Sequence, residues 1–230
     1  MKIKQLLKEM FYNLDLKVVN IKPHLKLELY EKMAPIFNKI TPFGKLNFSC
    51  PNSLTCWRVD TLLEKEPDTI DWIPSFKECN ILYDIGANIG LYSICAGKKG
   101  VAVFAVEPES QNYALLNQNI FSNNLHNKVT GYNFAISNLK KSDKLYIKNM
   151  TYGGALNNFG HNEDFNKNVF NEEFQQESIS YFVDNLIEVL SFPTPTYIKI
   201  DVDGLEAKNG PFKDIFNFTF SRESNNSYTL

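Results

Sequence analysis

A glycine-containing turn, Asp84–Gly90, joins a predicted strand to a predicted helix and reads Asp-Ile-Gly-Ala-Asn-Ile-Gly. At such a junction a ligand meets backbone N–H groups at the helix N-terminus, and small residues let it come close. Gly86 permits the tight turn, and Gly90 lets the helix pack against the strand. Asp84 ends the strand, where its carboxylate is placed to accept a hydrogen bond from a ligand's ammonium group or from the turn itself.

A second acid, Glu107, ends the next predicted strand, 23 residues after Asp84. In a βαβ unit this spacing brings the acid to the neighbouring strand end, where a carboxylate binds both hydroxyls of a ribose. Asn88 stands where a dinucleotide-binding motif has its middle glycine, and its side chain would crowd a pyrophosphate. S-adenosylmethionine (SAM) has no phosphate and ends in an amino acid, so this pattern favours SAM. The structural alternative is a tight turn with a fold-stabilising Asp and a solvated Glu.

Acidic residues also follow the last predicted core strand. Asp201 lies at its carboxyl end, where α/β sheets present residues to ligands, and a positioned carboxylate base typically accelerates attack by a hydroxyl by ~10²–10⁴-fold. Lys199 shares a sheet face with Asp201 and could tune its acidity or bind the substrate. Asp203 and Glu206 could add hydrogen bonds to the substrate. The structural alternatives are a strand-capping ion pair between Lys199 and Asp201, and a simple turn at Asp203-Gly204.

These three acids could also hold a divalent cation through oxygen ligands, but three acids in six residues are common in a solvated loop as well. We predict no metal site. His161 could serve as an alternative base if its loop closes like a lid, or could simply be solvated. Residues that could form part of a sugar platform, or pack in the core, are Trp57, Arg58 and Trp72.

Strands and helices alternate from residue 79 onward in the predicted fold. The strands are predicted over 81–85, 101–107, 128–137, 144–148, 177–181 and 196–204, and the helices over 90–99, 109–124 and 183–190. Short turns between them favour an α/β fold with a mostly parallel sheet covered by helices. The asparagine-rich residues 149–175 are predicted to form an insertion or a mobile loop.

Residues 1–75 are predicted to form a helical and hairpin extension, and residues 76–230 the ligand-binding domain. In the extension, the segments KLNFSC and LTCWRV read as a hairpin around Pro51-Asn52-Ser53. The segment EPDTIDWI reads as a helix with Pro67 in its first turn and Pro74 at its end. Apolar residues between Ile3 and Phe11 have the spacing of a short amphipathic helix.

The composition suits one sizeable α/β core, with 43% hydrophobic and 22% charged residues among 230. A net charge of −2 with mixed signs builds no basic stripe, so we predict no nucleic-acid partner. No apolar run is long enough to span a bilayer. Four unevenly spaced cysteines without a secretion signal favour reduced thiols in a cytoplasmic protein.

Five sequence blocks resemble the FkbM family of SAM-dependent methyltransferases, and they occur in the family's order: LYDIGANIGLYS, FAVEPESQNYALLNQNI, NFAIS, VDNLIE and YIKIDVDGLE. The resemblance covers roughly residues 54–206, and the last block is the family's most distinctive signature. It implies a Rossmann-like methyltransferase fold, SAM as the methyl donor, and O-methylation of a sugar or glycan hydroxyl. The segment LTCWRVDTLLEKEPDTIDWI is similar to a subgroup found near surface-polysaccharide genes, which implies a polysaccharide precursor as substrate.

The resemblance also assigns residues to roles. The cofactor positions are Asp84, Gly86, Asn88, Gly90 and Glu107, to which we add Ala87 in the turn and Ala135 as a wall beside the adenine. The signature block contains Lys199, Asp201, Asp203, Gly204 and Glu206, and Asp201 is the predicted base.

After Glu206 the sequence departs from the family pattern, because only 24 residues remain where a helix and three further strands are expected. One weak strand, IFNFTF, is predicted there. We therefore expect a truncated or frameshifted end and an unpaired sheet edge beside the 196–204 strand. The functional alternatives are an O-methyltransferase, an impaired remnant that binds only SAM or a partner, and an NAD-dependent oxidoreductase. The last is weakened by Asn88 and by the lack of a Tyr-x-x-x-Lys pair.

Overall fold

The computed structural model describes residues 23–33, 35–163, 168–202, 221–223 and 227–229. Contacts between Cα atoms divide the chain into two compact units, residues 1–35 and residues 36–230. In the first unit a helix, α1 (Pro23–Met33), is described. The amphipathic helix predicted near the N-terminus lies outside the described residues, and the predicted domain division at residue 75 stays a prediction.

The second unit begins with a β-hairpin followed by short helices. These elements are β1 (Ile36–Thr41), β2 (Gly44–Ser49), α2 (Ser53–Asp60), α3 (Leu62–Lys65), α4 (Pro67–Trp72) and a 3₁₀ turn (Ile73–Ser75). The predicted helix that starts at Pro67 is confirmed. The predicted hairpin is wrong, because β2 pairs antiparallel with β1, and the segment LTCWRV belongs to α2.

Asn52 explains why α2 is a helix and not a strand. Its side-chain oxygen accepts a hydrogen bond from the backbone N–H of Thr55 (2.8 Å), and the Thr55 hydroxyl accepts one from the N–H of Asn52 (3.4 Å). This reciprocal capping box satisfies N–H groups that a helix start otherwise leaves free. The Asn-x-x-Thr spacing is visible in the sequence and outweighs the strand propensity of the residues that follow.

Strands and helices alternate through the rest of the unit. They are β3 (Ile81–Ile85), α5 (Leu91–Lys99), β4 (Ala102–Val106), α6 (Ser110–Ser122), β5 (Val129–Tyr132), β6 (Ala135–Ile136), β7 (Lys141–Ile147), β8 (Asn158–Phe159), β9 (Phe174–Tyr181), α7 (Val183–Glu188), β10 (Tyr197–Ile200), β11 (Ser221–Glu223) and β12 (Ser227–Thr229). The predicted α/β fold is confirmed.

The central sheet has the order β11-β12-β10-β3-β4-β5, and its strands β10, β3, β4 and β5 are mutually parallel. A second sheet has the order β6-β9-β7-β8. In the central sheet the chain runs outward from β3 to β5 and then crosses to β10 on the other side of β3. Ligands of open α/β sheets bind outside the carboxyl ends of the strands at such a reversal of strand order.

The strand predicted over 128–137 is two strands in different sheets. Asn133 turns the chain between them, because its side-chain amide donates to the carbonyl oxygens of Glu107 (2.9 Å) and Pro108 (3.0 Å). β5 therefore stays in the central sheet, whereas β6 pairs with β9. The continuity of the predicted strand is wrong, although both halves are extended.

The two faces of the central sheet carry separate hydrophobic clusters. Leu82, Val103 and Ala105 face the first cluster, together with α5, α6 and the β1–β2 hairpin. Tyr83 and Ile198 belong to the second cluster, with residues of α7. The alternation along each strand places Asp84 and Lys199 on the α5 side of the sheet, at equivalent positions of the parallel pair β3 and β10.

The outer edge of β10 is covered by β12, which pairs with Tyr197–Lys199 in antiparallel register. The expected unpaired edge is therefore wrong, since residues 227–229 supply backbone partners. The predicted IFNFTF strand lies outside the described residues. Within the described ranges, no helix has the length and apolar character needed to cross a membrane.

Candidate functional site

Three cavities follow one another along the carboxyl ends of the central strands, and Gly86 lines all of them. Residues lining the apolar cavity include Ile85, Val106, Pro108, Ala135, Leu145 and Val202. Those lining the central cavity include Asn88, Glu107, Asn112, Gly154 and Asp201. Those lining the charged cavity include Arg58, Lys65, Glu66, Tyr92, Lys199 and Asp201. Because neighbouring cavities share wall residues, we call the three together the strand-end groove.

The glycine turn is held in a conformation that requires glycine at position 86. Gly86 has φ +79°, and a Cβ atom there would lie 2.0 Å from the carbonyl oxygen of Asp201. Asn88 also has a positive φ, +51°, which asparagine tolerates better than most residues. The predicted tight turn is therefore present, and it brings the end of β3 against the end of β10.

The N–H groups of the turn are used within the protein. Those of Gly86 and Ala87 donate to the carbonyl oxygen of Val106 (2.9 and 3.0 Å), and that of Asn88 donates to Glu107 (2.8 Å). Because these N–H groups already have partners, a ligand at the turn would contact its backbone surface and the surrounding side chains and would receive no hydrogen bond from these groups. Gly90 is the N-cap residue of α5 with φ +84°, and a Cβ atom there would lie 2.4 Å from a methyl group of Leu116. Its close approach is thus to α6, not to the strand as predicted.

Glu107 stands immediately after β4 with its carboxylate in the central cavity. It is 5% exposed and accepts hydrogen bonds from the N–H groups of Asn88 (2.8 Å) and Glu109 (2.9 Å). Burial raises the pKa of Glu107 to about 7, against these two bonds, which lower it. Each carboxylate oxygen keeps further acceptor capacity, so the group can receive two hydroxyl donors.

Asp84 lies behind the turn rather than in the groove. It is 1% exposed, and its Oδ2 accepts a hydrogen bond from the hydroxyl of Ser93 on α5 (2.5 Å). Its Oδ1 has no hydrogen-bond donor among the described residues and lies 3.8 Å from the Nζ of Lys199. Burial raises the pKa of Asp84, while Lys199 and Ser93 oppose this rise.

Lys199 is a buried cation that contacts three acids. It is 3% exposed, and its Nζ lies 3.5 Å from Asp201, 3.8 Å from Asp84 and 4.0 Å from Glu66. Burial alone would lower the pKa of Lys199, but the three carboxylates raise it above its ordinary value. The ammonium also sits over the ring of Tyr92, 5.1 Å from its centroid. The predicted proximity of Lys199 and Asp201 is present, as part of this larger cluster.

Asp201 presents the most accessible carboxylate of this cluster, with its side chain 46% exposed. It lines both the central and the charged cavity, next to the glycine turn. The other predicted residues of the signature block, Asp203, Gly204 and Glu206, lie outside the described residues. In the part of the chain that is described, no group of three or more His, Cys, Asp or Glu side chains is arranged to hold a metal ion.

Ala135 and His161 both line the apolar cavity. Ala135, predicted as a wall beside the adenine, is buried on β6, and His161 approaches Asn158 (3.5 Å between Nε2 and Nδ2). The two tryptophans of the predicted sugar platform lie in different environments. Trp72 packs edge-on against Phe76 (4.7 Å between ring centroids), as core packing requires, whereas Trp57 is exposed.

Residues 151–154, inside the predicted loop, are anchored over the central cavity by side chains from four positions. Asn88 and Asn112 donate to the carbonyl oxygen of Gly154 (2.8 and 3.0 Å), and the N–H of Gly153 donates to Asn112 (2.8 Å). The Nε of Arg58 donates to the carbonyl oxygen of Gly153 (2.7 Å).

The side-chain amide of Asn52 anchors the beginning of the same segment, because it donates to the hydroxyl of Thr151 and to the carbonyl oxygen of Tyr152 (both 2.9 Å). This part of the loop is a wall of the groove.

The sequence does not predict that Glu66 and Asn112 line the groove. It assigns Arg58 to a sugar platform. Arg58 comes from α2, Glu66 from the junction of α3 and α4, and Asn112 from the start of α6. Pro67 marks the helix start that follows Glu66, but it does not indicate that this start lies beside the groove. No comparable signal marks Arg58, because its position depends on how α2 packs.

Comparisons with known proteins give one family and several distant structures. The sequence model of a family described as "Methyltransferase FkbM domain" matches residues 84–208, more than half of the chain. No curated protein matches. Among solved structures, TYW2 of Pyrococcus horikoshii, crystallised with MeSAdo, is 16% identical over 44% of this chain and 37% of that one (TM-score 0.33). A precorrin-6Y C5,15-methyltransferase of Geobacter metallireducens is 21% identical over 31% and 40% (TM-score 0.28).

A third similar structure is that of aTrm5 in complex with tRNALeu, 18% identical over 41% of this chain and 26% of that one (TM-score 0.30). The chain spans less than half the length of each of these three proteins.

Proposed function

Since the chain belongs to the FkbM family of SAM-dependent methyltransferases, we propose that it transfers the methyl group of SAM to a hydroxyl group of a sugar or surface-polysaccharide precursor. The observation that carries this proposal is the position of Glu107. Its buried carboxylate lies in the middle of the strand-end groove, between an apolar end and a charged end.

The groove fits SAM part by part. Ala135 and Val106 belong to an apolar wall suited to the adenine ring. Glu107 is placed to accept hydrogen bonds from the two ribose hydroxyls. In dinucleotide-binding folds an acid at the end of the second strand of the first βαβ unit has this role. The charged cavity, with side chains of both signs, suits an amino acid. Asn88 occupies the turn with its amide bonded to Gly154, which leaves no cradle for a diphosphate.

Bound SAM would supply an electrophilic methyl group on its sulfonium. Asp201 is the proposed base because its carboxylate is the accessible one at the groove. The Nζ of the buried Lys199 lies 3.5 Å from its Oδ2 and orients it. The hydroxyl oxygen of the substrate forms the new O–CH₃ bond as the S–CH₃ bond breaks, and its proton passes to Asp201. A positioned base typically contributes ~10²–10⁴-fold to such a step, and alignment of the two reactants supplies more.

The glycan part of the proposal rests on the resemblance of residues 54–73 to proteins found near polysaccharide genes. Cytoplasmic location is part of the proposal as well, and the four free cysteines, two of them buried, support a reducing compartment. The absence of a nucleic-acid partner stays a prediction from the mixed charges and the net charge of −2.

The test combines binding with product mass. Calorimetry with S-adenosylhomocysteine (SAH) measures cofactor binding, and incubation with SAM and a panel of nucleotide sugars and oligosaccharides should give a product heavier by one methyl group. Asp201→Asn should lower turnover by roughly 10²–10⁴-fold and leave SAH affinity nearly unchanged. Glu177→Gln, which alters an exposed carboxylate that pairs with Lys144 and lines no part of the groove, is the matched control.

Full turnover by Asp201→Asn would remove Asp201 from the base role, and His161→Asn would then be the next variant, because His161 lines the groove. SAH binding without methyl transfer to any hydroxylated acceptor would favour the alternative of a chain that binds SAM only.

A further inference from the structure

We propose that Arg58 and Glu66 form the binding site for the amino-acid end of SAM, with Arg58 binding the carboxylate and Glu66 the ammonium group. This inference rests on the proposed use of SAM. Both residues precede the segment matched by the family model, residues 84–208. The helices α2–α4 would then be part of the cofactor site.

Arg58 is the strongest candidate for the carboxylate. It projects from α2 and lines both the central and the charged cavity, so it stands at the charged end of the groove. Its Nε donates to the carbonyl oxygen of Gly153 (2.7 Å), which fixes the side chain. The guanidinium makes no other hydrogen bond with the described residues, so its terminal nitrogens keep donors for a planar, two-point contact with a carboxylate.

Glu66 is the corresponding acid. It lies between α3 and α4 and lines the charged cavity. Its Oε2 accepts a hydrogen bond from the hydroxyl of Thr69 (3.2 Å) and lies 4.0 Å from the Nζ of Lys199. These contacts orient the carboxylate and leave acceptor positions for an ammonium group.

The other charged residues near the turn are less suited to these two tasks. Lys199 is nearly inaccessible and already contacts three carboxylates. Asp84 is buried behind the turn and bonded to Ser93. Lys65 is exposed, and an exposed lysine on a flexible stem gains less from an ion pair than a fixed arginine. Asp201 is accessible and carries the proposed base role.

Opposite charges in one cavity suit a zwitterion better than a phosphate or a dicarboxylate. The charged cavity carries three cations, Arg58, Lys65 and Lys199, and two acids, Glu66 and Asp201. One cation, Lys199, is balanced by the buried Asp84. An α-amino acid offers one carboxylate and one ammonium group to this arrangement, and it reaches the cavity from Glu107 past the glycine turn.

The test measures binding of three nucleosides by calorimetry: SAM, decarboxylated SAM, and 5′-methylthioadenosine, which lacks the whole amino-acid part. Arg58→Gln should weaken SAM by roughly 10- to 100-fold and decarboxylated SAM by less than about threefold. Glu66→Gln should weaken SAM and decarboxylated SAM alike, by roughly 10- to 100-fold. Neither variant should change the affinity for methylthioadenosine by more than about threefold.

Lys39→Ala is the matched control, since Lys39 contacts the carbonyl oxygen of Asp60 at the end of α2 but lines no part of the groove. It should leave all three affinities unchanged. Thermal melting of each variant identifies loss of folding, and Arg58→Lys, which keeps the charge, then replaces Arg58→Gln and should recover part of the SAM affinity.

Equal weakening of SAM and decarboxylated SAM by Arg58→Gln would overturn the assignment, because Arg58 would then act only by holding Gly153. Equal affinity of the unmodified protein for SAM and methylthioadenosine would also overturn it, while SAM use itself would stand. If the unmodified protein binds none of the three nucleosides, the proposed function fails first.

Discussion

The buried carboxyl group of Glu107 should make the affinity for SAH depend on pH. Burial raises its pKa to about 7, although N–H groups of Glu109 and Asn88 donate to the carboxylate. Ribose hydroxyls would also donate to this carboxylate, so SAH binding favours its ionised form. Protonation of the free protein therefore competes with binding, and affinity should rise as pH increases through about 7.

The size of the effect follows from that pKa. At about pH 5 only about 1% of Glu107 is ionised, so SAH should bind up to about 100-fold more weakly than at about pH 8. Calorimetric titration with SAH across this range measures the change. Glu107→Gln should bind roughly 10- to 100-fold more weakly at about pH 8 and lose the pH dependence. Glu177→Gln, an exposed glutamate that pairs with Lys144, should keep it.

Without ligand, the same group should lower stability as pH rises. The folded protein keeps the Glu107 proton up to about 7, whereas an unfolded glutamate releases it near 4.5. Between these values the folded state binds more protons, so the free energy of unfolding falls with rising pH, by about 3 kcal/mol in total. This contribution is complete below about pH 4.5 and lost above about 7, and Glu107→Gln should abolish it in urea denaturation.

Identical pH profiles of SAH affinity in Glu107→Gln and the unmodified protein would refute the prediction that ionised Glu107 binds the ribose.

Three further substitutions test the walls of the groove. Gly86→Ala should destabilise the protein by at least about 1–3 kcal/mol in urea denaturation, because of its positive φ and a backbone carbonyl oxygen 2.0 Å from the new Cβ. Lys199→Met should cost about 3–5 kcal/mol, since it leaves Asp84 buried without its cation. Asn112→Ala removes two hydrogen bonds to the 151–154 wall and should cost about 1–3 kcal/mol and speed limited proteolysis there.

Each of these substitutions has a matched comparison variant. Gly131→Ala places a Cβ 3.3 Å from its nearest neighbours, with no positive φ, and should cost less than Gly86→Ala. Adding Asp84→Asn to Lys199→Met should restore part of the lost stability, because no buried charge then stays unpaired. Asn117→Ala, which removes a bond within α6 only, should leave proteolysis unchanged. Equal effects of a substitution and its control would contradict the corresponding contact.

The sequence predicts the central sheet well because its buried strands are short apolar runs bounded by turns. The strand over 81–85 matches β3 at both ends, and the helices after it differ from prediction by at most two residues at either end. The family and the enzyme class, a SAM-dependent methyltransferase, are confirmed by the FkbM match. The hairpin at residues 45–59 is wrong because strand propensity was weighed above the capping signal of Asn52.

Residues fixed by local spacing are easier to predict at the groove than residues fixed by packing. The turn and Glu107 follow strands whose ends are visible in the sequence, and the structure brings them within a hydrogen bond of each other. Arg58 and Glu66 reach the groove from the helical segment that precedes the central sheet, so no periodicity in the sequence relates them to Gly86. Asn112 and Gly154 meet over a separation of 42 residues, which only the folded chain reveals.

Asp84 and Glu107 look equivalent in sequence, yet their environments differ, because Asp84 pairs with Ala105 and Glu107 lies two residues further along. Asp84 lies within β3, where strand alternation turns its side chain toward α5 and into contact with Lys199. Glu107 follows β4 and enters the groove. Asp84 is therefore positioned to hold Lys199 from behind, while Lys199 faces Asp201 at the groove. The ammonium group of Lys199 contacts both acids. A substitution of Asp84 should therefore shift this ammonium group and alter its contact with Asp201, the proposed base, although Asp84 itself contacts no ligand.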